Sequence, residues 1–136
     1  MPTPMTTELY WLVLTTLMTA LLWVPYILNR MREMGIWPAI WNPHPDPRPQ
    51  AQWAERLMRA HANAVENLVV FAPLVLALHV LGMSTAITAT AAMVYFIVRV
   101  THAILYTFAV PLLRTVTFLI GFFCQMALAL TLLQVI

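Results

Sequence analysis

Nine polar side chains, four of them arginines, recur at helical spacing in an otherwise apolar chain. Arg56, Arg59, Asn63 and Glu66 lie in the run E-R-L-M-R-A-H-A-N-A-V-E-N from Glu55 to Asn67. Arg99, His102 and Tyr106 follow at spacings of three and four, and Arg114 and Thr115 complete the set. At about 100° per residue, Arg56, Arg59, Asn63, Glu66 and Asn67 fall within roughly a third of a helix circumference, with His61 on another side. Arginine stays protonated and presents a planar fork that matches a carboxylate. Four arginines face one deep carboxylate, Glu66, with Glu55 available at the rim. Internal pairing of Glu66 with Arg99 or Arg59, with Asn63 or Tyr106 filling remaining bonds, satisfies only part of the set. The excess guanidinium calls for an anionic ligand, and an anionic lipid headgroup meets the same requirement.

The elements that carry these residues read as membrane helices. Of 136 residues, 62% are hydrophobic and 9% charged, against about 25% charged in a soluble domain. The expected fold is all-α, an integral membrane four-helix bundle in a single domain over residues 1–136. Helices are expected at about 7–32, 52–81, 84–108 and 111–133. Leu9 to Leu28 carries no charge and is long enough to cross about 30 Å of hydrocarbon. Tyr10 and Trp11 suit one interface, and Trp23 and Tyr26 the other. Pro25 bends the last turn, and Arg30 and Arg32 stop the segment. With no cationic region before it and no small-x-small cleavage site, this run reads as a retained helix rather than a signal peptide.

Residues 35–50 read as a Pro-rich loop, with five of the ten prolines, where regular helix is disfavoured. Trp37, Trp41 and Trp53 are expected at the membrane surface. An isolated His44-x-Asp46 is too sparse to read as a metal site, and no metal is expected. Pro73 should kink the second helix. Gly82-Met-Ser-Thr is a tight turn. Pro111 suits the first position of the last helix, where Arg114, Thr117, Phe118, Gly121 and Gln125 share a face. Ala86, Ala89, Ala91 and Ala92 permit close helix packing.

Four spans put both termini on one side. Arg30, Arg32, Arg48, Arg56 and Arg59 cluster around the first loop, which the positive-inside rule places in the cytoplasm with both termini outside. The second-helix stripe, Arg99, His102 and Arg114 then converge at one depth. A formal charge of +2 without a basic run interleaved with aromatics gives no reason to expect nucleic acid. The lone Cys124 permits no intrachain disulfide and reads as a small buried hydrophobe.

Three ordered stretches resemble the MAPEG family, membrane-associated proteins in eicosanoid and glutathione metabolism. Glu55, Arg56, Arg59, Ala60, Asn63 and Glu66 match its E-R-x-x-R-A-x-x-N-x-x-E pattern. Arg99-Val-Thr-His102-Ala-Ile-Leu-Tyr106 and Pro111-Leu-Leu-Arg114-Thr115-Val-Thr-Phe118 are similar to its second and third motifs. The chain looks closest to bacterial members, which implies a bacterial inner membrane. The resemblance implies a homotrimer with glutathione bound between subunits near the cytoplasmic side, and a lipophilic electrophile or hydroperoxide arriving from the bilayer lipids. Carried over by position, Asn63, Glu66, Arg99, His102 and Tyr106 hold the tripeptide. Arg59 supports it or pairs with Glu66, and Arg30 or Arg32 of a neighbouring first helix closes the site. Arg114 corresponds to the arginine that stabilises the glutathione thiolate, and Thr115 stands where some relatives have serine.

The implied activity is a glutathione-dependent transferase or peroxidase. Ala62 stands where some eicosanoid enzymes have an arginine, Phe118 where some have a tyrosine, and the Pro-rich loop differs from theirs, which points away from eicosanoid synthesis. The alternatives are a non-catalytic protein binding an anionic lipid or metabolite in the same polar cleft, and a polar core that only holds the oligomer together.

Overall fold

Helix is the only regular element in the computed structural model, which describes residues 4–41 and 48–136; His44 and Asp46 lie outside the described residues. In chain order the helices are α1 (Thr7–Leu21), α2 (Trp23–Met34), α3 (Ile36–Trp41), α4 (Gln52–Leu81), α5 (Ala86–Thr107) and α6 (Pro111–Leu132). Thr7–Met34, α4, α5 and α6 are each long and apolar enough to cross a membrane. Large apolar side chains such as Val69, Val80, Leu112 and Phe123 stand on their outer faces. The chain is an integral membrane protein built as a four-helix bundle.

The first span departs from the sequence reading in two ways. It breaks at Leu22, whose amide donates to the Thr19 carbonyl at 3.4 Å rather than one residue further back. Pro25 explains the break, because it has no N–H for the Leu21 carbonyl. The helix also runs through Arg30 and Arg32 to Met34 instead of stopping there. Arginine ends an apolar span but is itself a good helix former. Gly35 at φ 86° provides the stop, in a conformation other residues rarely adopt. The Tyr26 hydroxyl ties the first span to α4, lying 2.7 Å from His61 Nδ1.

The Pro-rich stretch is likewise not wholly loop, because residues 36–41 form α3. Pro38 is tolerated there because first-turn amides have no intrahelical acceptor to lose. The connection is then tied down by Glu33, whose carboxylate accepts from the Gln50 and Ala51 amides and from Asn29 Nδ2. A residue of α2 thereby satisfies amides at the start of α4.

α4 continues through Pro73 to Gly82, which caps it in the left-handed region at φ 65°. The Met83 amide closes back on the Leu78 carbonyl. Thr85 caps α5 in a reciprocal box with Thr88. Both Ser84 and Thr88 donate to Glu8 Oε1, at 2.7 and 2.6 Å, joining the start of α1 to the start of α5.

α4 and α5 form the middle of the bundle, each packing on both α1 and α6. The bundle has two chemically distinct halves. Near the Gly82 turn, Leu12, Phe71, Val75, Leu78, Ala91, Ala92, Tyr95, Cys124 and Leu128 form the apolar core. Phe71 and Tyr95 stack there with ring centres 3.8 Å apart. The other half is held by polar contacts and carries the candidate site.

Candidate functional site

The polar half is assembled from α4 upward. At about 100° per residue, Arg56, Asn63 and Asn67 fall within about 40° of one another. Each of these residues contacts α5 or α6. Arg56 Nε donates to the Thr107 carbonyl at 2.8 Å. Asn63 Oδ1 accepts from Arg99 at 2.6 Å. The Asn67 carbonyl accepts from Gln125 Nε2 at 3.2 Å, and Gln125 also reaches the Tyr95 hydroxyl at 3.4 Å. Three tiers of hydrogen bonds thus fasten α4 to the α5–α6 pair. Each satisfies groups that would be costly to leave unpaired away from water.

Arg99 is the exceptional member. It is 2% exposed, has no carboxylate partner among the described residues, and its Nε has no hydrogen bond. Its one side-chain partner is the neutral amide of Asn63. His102, also buried, leaves Nδ1 without a partner.

In front of this pair lies a cleft of about 210 Å³ lined by Asn63, His102, Tyr106, Arg114, Thr115 and Phe118. The Arg114 guanidinium carbon sits 5.0 Å from the centre of the Tyr106 ring, a cation–π arrangement that holds it at the mouth. The His102 ring lies 5.7 Å from Tyr106 and 6.2 Å from Phe118, centre to centre, so aromatic walls flank the charge. The turn at Phe108–Val110 and Pro111 at the start of α6 bring Arg114 back over Tyr106. With Arg99 behind Asn63 and Arg114 in front, two fixed positive charges meet a cleft whose lining has no carboxylate.

Of the nine residues the sequence nominates, Asn63, His102, Tyr106, Arg114 and Thr115 therefore meet in one cleft, with Arg99 behind them. The other three, Arg56, Arg59 and Glu66, lie elsewhere: Arg56 is taken up by the Thr107 carbonyl. Arg59 is 67% exposed and ion-paired with Glu55 at 3.1 Å. It lines a second cleft of about 280 Å³ with Arg48, Pro49, Glu55, Met58 and Ala62. Glu66 is exposed on the same outer side of α4 and makes no hydrogen bond or ion pair among the described residues. Its expected pairing with Arg99 or Arg59 does not form. Seven residues separate Arg59 from Glu66, about 10 Å along the helix axis, whereas Glu55 is one turn away. Arg30, on α2, lines neither cleft. Among the described residues no three His, Cys, Asp or Glu side chains gather in a metal-binding group.

One contributor is not nominated by the sequence, and a nominated one has a different first role. Phe118 walls the cleft, although the sequence marks it only as a missing phenol. Asn63 acts first as the acceptor for Arg99. The helical register carries the signal, since Asn63 lies between Arg56 and Arg59 on the stripe, with Arg59 and Glu66 at its outer edge.

No curated protein and no solved structure matches the chain. A family model does, the MAPEG family, over residues 9–134. That match runs from the first turn of α1 to just beyond α6 and takes in every helix that builds the cleft; the chain belongs to the MAPEG family.

Proposed function

We propose that the protein is a glutathione-dependent membrane transferase or peroxidase acting on lipophilic electrophiles or hydroperoxides. The observation that carries this reading is the buried Arg99, paired only with an amide, behind a cleft that Arg114 also enters. Glutathione has two carboxylates, one ammonium and a thiol. Asn63, His102 and Tyr106, with the Arg99 charge held behind Asn63, suit the tripeptide's polar groups. Arg114 suits the sulfur. A thiol with a pKa of about 8.5 is mostly protonated at neutral pH, and a neighbouring guanidinium favours its thiolate. Thr115 offers a hydroxyl beside it.

Attack of the thiolate on an electrophilic carbon forms a C–S bond, with loss of a leaving group or protonation of the adduct. Attack on a hydroperoxide breaks the O–O bond, and the departing alkoxide takes a proton. The resulting sulfenic acid is reduced by a second glutathione to disulfide and water. Holding both reactants in one cleft supplies the effective concentration that the free thiol lacks.

The same reading makes the protein a homotrimer whose site is shared between subunits. Glu55, Arg59 and Glu66 form a charged edge on the outside of α4, and Glu66 lies well inside the span. An ionisable group facing lipid there is costly, so a neighbouring subunit is the natural cover. A neighbour would add Arg59, Glu66 and Arg30 or Arg32 to the cleft from outside. The setting is that of a bacterial inner membrane, with the first loop cytoplasmic and both termini outside.

Native mass spectrometry of the detergent-solubilised protein with added glutathione tests this reading. The expected species is a trimer carrying the tripeptide, with occupancy lost in Arg99→Ala. A monomer, or a trimer that binds phospholipid and never glutathione, contradicts it.

A further inference from the structure

α3 has no use in the chemistry proposed above, and its composition is unusual for a segment outside the bundle. Its sequence is I-W-P-A-I-W, without one polar side chain. Ile36, Trp37, Ile40 and Trp41 are each more than 60% exposed. The Trp37 and Trp41 rings stack with centres 5.0 Å apart and planes at 17°. Among the packed pairs of helices, α3 touches only α2. A helix this short does not hold itself together in water, and four large apolar side chains have no reason to gather there.

Its position says what covers it. The first span is 28 residues long, about 42 Å at helical rise, which matches the roughly 40–45 Å of a bilayer with its headgroups. Gly35 turns the chain immediately at the end of that span, so α3 begins at headgroup level, continuous with the lipid-facing surface of the bundle. The indole belongs at that level, with an apolar ring and one N–H donor. Trp53, at the start of α4 and also exposed, lies at the same end of the bundle.

We propose that α3 is an interfacial anchor, lying along the membrane surface with Ile36, Trp37, Ile40 and Trp41 inserted at the boundary between headgroups and acyl chains. Glu33 links α2 to the start of α4 on the far side of this anchor. The docked helix therefore fixes the height at which α4 enters the membrane.

The test is tryptophan fluorescence of the full chain in vesicles of phosphatidylcholine and phosphatidylglycerol. The phosphatidylcholine is brominated either near the acyl carbonyl or near the chain end, and acrylamide serves as the aqueous quencher. A variant keeping Trp37 alone, with the other four tryptophans replaced by Phe, should emit at short wavelength. It should be quenched most by the shallow bromines and little by acrylamide. Trp37→Phe/Trp41→Phe, which leaves the rest of the chain intact, should lose the share of shallow-bromine quenching that these two rings add to that of Trp11, Trp23 and Trp53. Strong acrylamide quenching without bromine quenching places α3 in water and overturns the proposal. Short-wavelength emission that neither quencher affects places it against another protein surface and overturns it equally.

Discussion

Asn63 and Arg99 decide whether the cleft is a polar core or a binding site. Arg99 is buried against an amide that offers one acceptor. Asn63→Ala should lower stability by about 1.5–3 kcal/mol, the range for a hydrogen bond to a charged group. Thermal unfolding in detergent would measure it. Replacing both partners with apolar residues, Asn63→Leu with Arg99→Met, should cost far less, because no charge is left buried and unpaired. The double variant should nonetheless lose glutathione binding by calorimetry. If the double variant is as unstable as Asn63→Ala and binds normally, the pair is structural. At this scale the types of the site residues were legible in the sequence, but their pairing was not. Arg59 and Glu66 share a helical side, yet the nearer Glu55 takes the arginine. Asn63, a neutral residue, holds the buried cation that a charge-matching argument assigns to Glu66.

Spacing and composition alone identify the membrane helices, and local chemistry corrects their ends. Thr85 and Thr88 make a reciprocal cap at the start of α5, so Thr85→Ala should lower stability by about 1 kcal/mol. Glu33 accepts the Gln50 and Ala51 amides, so Glu33→Gln should speed hydrogen exchange at those amides and leave the middle of α4 unchanged. Exchange that rises evenly along α4 would show that the cap is not local. The expected end of the first helix, at about residue 32, falls two residues short, because the backbone at Gly35 rather than the arginine charge supplies the stop. The break at Leu22 has a visible cause in Pro25, but which carbonyl loses its donor depends on where the helix register falls. α3 was hidden because proline in a short run argues against helix unless it occupies the first turn.

The whole molecule divides into an apolar half near the Gly82 turn and a polar half near the other end, and the division follows the sequence closely. Phe71, Val75 and Leu78 of α4 pack in one half, while Arg56, Asn63 and Asn67 of the same helix bond in the other. One chain brings Asn63, His102, Tyr106, Arg114 and Thr115 together but leaves Arg59 and Glu66 on the outer edge. The motifs record which residues occur at helical spacing, and the fold decides which of them one chain gathers. The proposed chemistry depends directly on the charge that Arg114 places at the cleft, and the ultraviolet thiolate absorbance of added glutathione measures its effect. The wild-type protein at neutral pH should show a saturable rise in that absorbance, absent in Arg114→Ala and partly kept in Arg114→Lys. No thiolate signal in the wild type at millimolar glutathione, or an equal signal in Arg114→Ala, would contradict it.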